Sequence, residues 1–175
     1  PTGKNTPLAT SSLISSSNEA TVALARSTRL SLDDFVKKMN DKANDLGLKN
    51  TSFTDVTGLK NDNKSTALDM TILARAAFLN SYIQKAVSTE SYALKIISSG
   101  LTRNIKSTDK ILNQKFGLSG QTYQVELGKT GYLEAAGYNF ASRVSDSDNR
   151  HILVVVLGSA TIDQRFTDTK SLAYW

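Results

Sequence analysis

The sequence predicts one α+β domain in which helices pack against an antiparallel sheet. Three observations carry this. Apolar residues recur every three or four positions in segments up to Asn80, β-branched strand-like segments fill Tyr92 to Ala160, and helical spacing returns from Asp163 to Trp175. A length of 175 residues, 39% hydrophobic and 21% charged, fits a single globular unit. At that size folding removes roughly 70% of the unfolded chain's surface from water, so a core needs no covalent staples.

The opening stretch PTGKNTPLATSS holds both prolines among small polar residues and reads as a loop. From Asn18 the pattern turns helical through Ala20, Val22, Ala23, Leu24 and Ala25, with a Ser-Ser-Asn run where an N-cap belongs. Ser31 and Asp34 stand at capping-box spacing ahead of a second helix. Its apolar positions are Leu32, Phe35, Val36, Met39, Ala43 and Leu46, and Gly47 stops it. LKNTSFTDVTGLKNDNKS is too rich in Asn, Thr, Asp and Gly for a regular element, and long structured loops of this kind are often functional. A third helix starts at Ser65 or Thr66, with Ala67, Met70, Leu73, Ala74, Ala77 and Phe78 as its buried stripe.

Five strands follow in the reading: YALKIIS, LTRNIK, TYQVELGKTG, GYNFASRV and HILVVVLGSA. The last three are joined by Gly-rich or Asp-Ser-Asp-Asn turns, which favours antiparallel neighbours. The β-branched run ILVVVL predicts a central strand covered on both faces. A closing helix spans Asp163 to Trp175, with Phe166, Leu172 and Ala173 apolar.

The composition removes several chemistries. Without Cys there is no disulfide scaffold, thiol nucleophile or iron–sulfur site, and one His, His151, excludes a His-rich metal cluster. The net charge of +5 is spread along the chain without the stripe of a nucleic-acid groove, so no nucleic-acid partner is expected. No apolar run reaches the roughly 18 residues of a membrane span, which predicts a soluble chain.

Two short motifs point to catalysis: Ser16-Ser17-Asn18 at a helix start and Lys129-Thr130-Gly131 at a strand end. Singly, the first is explained by a helix cap and the second by a strand running into a turn. Together and in this order they match two of the three motifs of penicillin-recognising serine enzymes, S-x-x-K, S-x-N and K-T-G. The surrounding segments extend the match. SSLISSSNEATVALAR, FVKKMNDKANDLGLKNTSFTDVTGL, STALDMTILARAAF and VELGKTGYLEAAGYNFASRV follow one another as in the D-alanyl-D-alanine carboxypeptidases of the low-molecular-mass penicillin-binding class, which the chain resembles over nearly its whole length.

The resemblance implies a DD-peptidase/β-lactamase-like fold and hydrolysis of D-Ala-D-Ala ends of peptidoglycan stem peptides through an acyl-enzyme, with β-lactams as inhibitors and no cofactor or metal. It implies that Ser16 relays protons and that the Asn18 amide holds substrate backbone or the general-base Lys. Lys129 supplies positive charge and Thr130 a hydroxyl to the substrate carboxylate. Gly131 lets substrate lie against the strand, and the Tyr132 N–H serves as an oxyanion donor. Glu19 reads as a helix-start carboxylate.

No S-x-x-K precedes Ser16. The one S-x-x-K, Ser107-Thr108-Asp109-Lys110, lies between the other motifs, where it matches a connecting segment and reads as coincidence. Residues 1–175 are therefore expected to be the C-terminal portion of one catalytic domain, without its N-terminal strands and nucleophile helix and inactive alone. The alternative is a non-catalytic remnant that binds cell-wall peptides. Exposed sheet edge would then favour self-association or a companion N-terminal fragment, and any membrane association would run through absent segments. The substrate implies an extracytoplasmic, bacterial location. A His151-based triad is disfavoured because His151 opens an apolar strand after a turn. A β-lactamase is disfavoured because the long loop lacks E-x-x-x-N. Tyr132, Tyr138 and Phe140 could line a substrate groove, although core packing explains Tyr138 and Phe140 equally well.

Overall fold

A computed structural model describes residues 5–118 and 120–175. Helices α1 (Thr6–Ile14), α2 (Asn18–Ser27), α3 (Leu32–Asp45), α4 (Ala67–Phe78) and α5 (Ser81–Val87) precede strands β1 (Ser91–Lys95), β2 (Thr102–Lys106), β3 (Lys115–Leu118), β4 (Gln121–Leu133), β5 (Gly137–Asp146) and β6 (His151–Ser159), and α6 (Ile162–Ala173) closes the chain. This is the helices, sheet, helix order expected of the α+β class.

The opening stretch is a helix rather than a loop over its described part; its first four residues lie outside the described residues. Pro7 sits in the first turn of α1, where its missing N–H breaks no helical hydrogen bond. Burial of Ala9, Thr10, Ser11 and Ile14 outweighs the weak propensity of the small polar residues. The Tyr82 hydroxyl donates to the Thr6 carbonyl at 2.9 Å and pins the start of the helix. Helix α5 fills a stretch the sequence reading left unassigned, and the Asn80 side chain caps it by accepting from the N–H groups of Tyr82 and Ile83. Ser31 and Thr66 cap α3 and α4 as their spacing predicts.

The strands form two sheets. β1 and β2 make a separate antiparallel hairpin, while the main sheet runs β3-β4-β5-β6, antiparallel throughout. Strand β6, which carries ILVVVL, lies at the edge of the described sheet and not at its centre. Its faces are nevertheless packed by α4 and α6. A β-branched run records what covers the two faces of a strand, and it is silent on whether both backbone edges are paired.

The main sheet separates two apolar cores. Val125, Phe140, Val144, Val154 and Val156 pack with Ile111 and with Phe166 and Ala173 of α6. Leu127 packs with Ala74, Phe78 and Val87 of α4 and its neighbourhood. At Gly128 a Cβ would collide with the Asp109 carboxylate and lie 2.8 Å from the Phe140 ring, so only glycine lets the segment before β3 press against β4.

The long loop is ordered by side chains of the flanking helices. Asn40 of α3 exchanges two 2.8 Å hydrogen bonds with the Phe53 backbone, and Asp69 of α4 accepts from the Asn50 N–H and the Thr51 hydroxyl, both at 2.8 Å. The Asp55 carboxylate gathers the backbone N–H groups of Thr57, Gly58 and Leu59.

Candidate active site

Helices α1 and α2 are joined by a tight corner, Ser15 to Ser17, in which Ser16 adopts φ +54°. That left-handed conformation is costly for a residue with a side chain and marks positions the surrounding fold holds for a purpose. The cap of α2 is Ser17, whose hydroxyl accepts from the Ala20 N–H at 3.1 Å and donates to Glu19 at 3.0 Å. Capping is thus done by the middle serine of the motif. Ser16 and Asn18 are left free to face elsewhere, and Glu19 is an exposed helix-start carboxylate held below its usual range by a backbone N–H and by Ser17.

Strand β4 brings Lys129 across to this corner. Its ammonium donates to the Ser16 hydroxyl and, at 2.7 Å, to the Thr130 carbonyl, so two motifs 113 residues apart meet in one contact. Burial, and then the charge of Arg165, lower the Lys129 pKa to about 8. The ammonium therefore stays charged at neutral pH yet can lose its proton under mildly basic conditions.

All six sequence-predicted site residues, Ser16, Asn18, Lys129, Thr130, Gly131 and Tyr132, line one cavity of about 410 Å³. Thr130 is buried, whereas Tyr132 is exposed at the rim and stacks on Tyr138 with ring centroids 4.3 Å apart. A Cβ at Gly131 would meet only the Asn139 Cβ, at 3.7 Å. Packing within this chain does not demand glycine at 131, in contrast to Gly128. Phe140 belongs to the core, 1% exposed and edge-on to Phe166 at 5.2 Å. An irregularity in the β5–β6 register between Tyr138 and Phe140 helps to part their surroundings.

Six residues that line the cavity, Thr57, Gly58, Leu59, Thr108, Ile162 and Arg165, carry no signal in the sequence that marks them as site residues. Thr57, Gly58 and Leu59 of the long loop form one wall; loop composition hinted at function without choosing residues. Thr108 reaches in from the segment before β3, its hydroxyl 2.6 Å from that of Thr130. Arg165 of α6 donates to the Gly131 carbonyl at 3.2 Å, with its guanidinium 5.5 Å from the Tyr138 ring centroid. Nothing local in IDQRFTDTK marks that arginine; only the docking of α6 on β5 and β6 brings it here. Beside it, buried Asp109 is pushed up to about 6 by burial. Ser107 and Lys110 do not line the cavity, and the Ser107 hydroxyl accepts from the Asp109 N–H. His151 lies 3.3 Å from Glu126 and outside the cavity.

An apolar trough of about 300 Å³ adjoins the site. Leu13, Met70, Phe78, Ile83, Val155 and Leu157 line it, and Lys129 and Thr130 reach its floor.

The two motifs, their order and their convergence on a single cavity agree with the family model for D-alanyl-D-alanine carboxypeptidase, which matches residues 4–161. The chain belongs to the D-alanyl-D-alanine carboxypeptidase family. Among curated members, the carboxypeptidase DacA of Haemophilus influenzae is 32% identical over 164 residues, 93% of this chain and 39% of the relative. A D-alanyl-D-alanine endopeptidase of Pseudomonas aeruginosa is 31% identical over 93% of this chain and 50% of its own length. Among solved structures, the Streptomyces K15 DD-transpeptidase superposes with a TM-score of 0.83 at 28% identity, covering 97% of this chain and 66% of that one. The fold is that of the DD-peptidases, and the chain spans two-fifths to one-half of these curated relatives. Among the described residues, no helix is long and apolar enough to cross a membrane.

Proposed function

We propose that the chain is the C-terminal portion of the catalytic domain of a serine-type D-Ala-D-Ala carboxypeptidase that acts, outside the cytoplasm of a bacterium, on peptidoglycan stem peptides and is sensitive to penicillin. The observation that carries this is the contact of the Lys129 ammonium with Ser16, in a cavity that also holds Asn18 and Thr130.

A substrate ending in D-Ala-D-Ala presents a terminal carboxylate beside the scissile carbonyl. Lys129 and Arg165 make the cavity electropositive, and the Thr130 hydroxyl offers a donor to the carboxylate. Gly131, glycine without a packing reason of its own, lets the peptide lie along β4, with the Tyr132 N–H as an oxyanion donor. The nucleophilic serine and its lysine come from an S-x-x-K segment that does not precede Ser16 in this chain. Serine attack on the carbonyl carbon expels D-Ala, whose amine takes a proton passed through Ser16. Water then hydrolyses the ester and regenerates the serine. Lys129 holds the Ser16 oxygen as an acceptor, which suits a relay without histidine. The apolar trough beside Lys129 and the edge of β6 left unpaired among the described residues suit the helix and strand that this reading assigns to the rest of the domain.

A second reading is favoured by the same absence of an upstream S-x-x-K: this chain alone binds stem peptides without cleaving them. Fluorescent penicillin tests both. The 175-residue chain is expected to take no covalent label, and a version extended N-terminally through an S-x-x-K to take one stoichiometrically. Labelling of the short chain at Ser16 or Ser107 would overturn this reading of the nucleophile.

A further inference from the structure

Thr130 is buried at 7% exposure, and its hydroxyl has a close neighbour, the Thr108 hydroxyl at 2.6 Å. A threonine hydroxyl carries one proton and two lone pairs, so in this pair one oxygen donates and the other accepts. If Thr130 spends its proton on Thr108, it can only accept from a ligand. If Thr108 is the donor, the Thr130 proton is released toward the cavity.

Thr108 is the donor of the pair when the cavity holds an acceptor for the Thr130 proton. Its only other acceptor among its hydrogen-bonding partners is the Ile14 carbonyl, at 3.5 Å, which already receives the Thr108 backbone N–H at 3.0 Å. With the Thr130 proton given to a ligand, the Thr108 proton takes the 2.6 Å acceptor rather than the partly satisfied one at 3.5 Å. The segment cannot drift to change this: Asp109 is buried against Gly128, with one carboxylate oxygen accepting from the Ile111 N–H at 2.9 Å. An anion in the cavity sets this direction, because a hydroxyl that donates onward becomes a better acceptor.

We infer that Thr108 is a positioning residue that turns the Thr130 proton into the cavity and thereby makes the site select a terminal carboxylate over a terminal carboxamide. The inference rests on the D-Ala-D-Ala reading of the cavity. With Thr108 donating, the cavity wall presents the Thr130 hydroxyl and the Lys129 ammonium as donors. A carboxylate is acceptor-only and matches both, whereas a carboxamide sets its own NH₂ against one of them. Thr108 touches Thr130 and acts through it, binding both to the corner that carries Ser16 by its hydrogen bond to Ile14.

The experiment titrates the chain, by NMR, with diacetyl-L-Lys-D-Ala-D-Ala and with its C-terminal amide, for the wild type, Thr108→Val, Thr108→Ala and Thr108→Ser. The wild type is expected to prefer the acid. Thr108→Val and Thr108→Ala should weaken the acid about five- to tenfold and the amide less than twofold, as loss of one oriented hydrogen bond predicts. Thr108→Ser should restore the wild-type ratio. Alanine guards against a misfit of the valine methyl beside Thr130, and unchanged urea midpoints exclude general loosening. A ratio unchanged in both Thr108→Val and Thr108→Ala, or both ligands weakened equally, overturns the role of Thr108 while leaving the D-Ala-D-Ala reading intact. A wild-type chain that binds neither peptide removes the reading that this chain alone holds stem peptides, and this inference with it.

Discussion

Asp109 offers a quantitative check on the packing beneath the site. The residue is 6% exposed; one carboxylate oxygen accepts from the Ile111 N–H, and the other has no hydrogen-bond partner among the described residues. Burial raises its pKa from 3.8 to about 6, against backbone hydrogen bonds and the Arg165 charge, which act the other way. The folded state therefore holds the proton more tightly than the unfolded state, and between about pH 4 and 6 it carries more bound protons. Stability must fall as pH rises through that window. The difference between 3.8 and about 6, at about 1.4 kcal/mol per pH unit, is worth about 3 kcal/mol. Asp109→Asn cannot ionise and removes this term. Urea unfolding followed by far-UV circular dichroism at about pH 3.5, 5 and 7.5 would measure it. Every other titrating group is common to both proteins and cancels in the difference. The variant should gain about 3 kcal/mol relative to the wild type between the lowest and highest pH, whichever protein is the more stable at either end. Two curves that stay parallel within about 0.5 kcal/mol would refute the claim that a charge is buried without adequate compensation at this position.

Two further outcomes follow from the site and its loop. Because the Lys129 pKa lies near 8, affinity for a D-Ala-D-Ala acid should fall as pH rises through about 8, and Lys129→Met should bind weakly with no such dependence; calorimetry from about pH 6 to 10 reads both. Burial raises the Asp55 pKa, but hydrogen bonds from Thr57, Asn63 and the backbone outweigh it and bring it down to about 2. Its stabilisation of the loop is then complete above the ordinary pKa of 3.8 and lost as pH falls through about 2. Asp55→Ala should cost about 1–3 kcal/mol and open the Thr54 to Asn63 segment to limited proteolysis at neutral pH. An unchanged cleavage pattern would show that Asp55 does not order the wall formed by Thr57 to Leu59.

What could be read in the chain itself was local. Periodicity and caps located α2, α3, α4 and α6, because an amphipathic stripe and a Ser or Thr cap act within a few residues of themselves. Turn chemistry paired β4, β5 and β6 for the same reason. Helix α1 is not legible locally because its propensity is poor and burial against the rest of the fold forms it. The edge position of β6 in the described sheet is not legible in ILVVVL, because the coverage of its faces is written in its own residues while its edge pairing depends on another strand.

The site divides along the same line. The S-x-N and K-T-G motifs were legible since chemistry constrains residue types at short spacing, and their order was enough to recognise the family. The sequence by itself thus determined the class of fold, the family and six of the residues that line the cavity. The tertiary structure decided which serine of Ser15-Ser16-Ser17 caps the helix and which meets Lys129, and it drew in Thr108, Arg165 and the Asp55-centred loop. The contacts of Ser16 with Lys129, Thr108 with Thr130 and Arg165 with Gly131 join residues 113, 22 and 34 positions apart, whose neighbours in sequence carry no trace of the partner. Hydrogen bonds and charges act over a few ångströms, a distance that only the packing of the helices on the sheet creates.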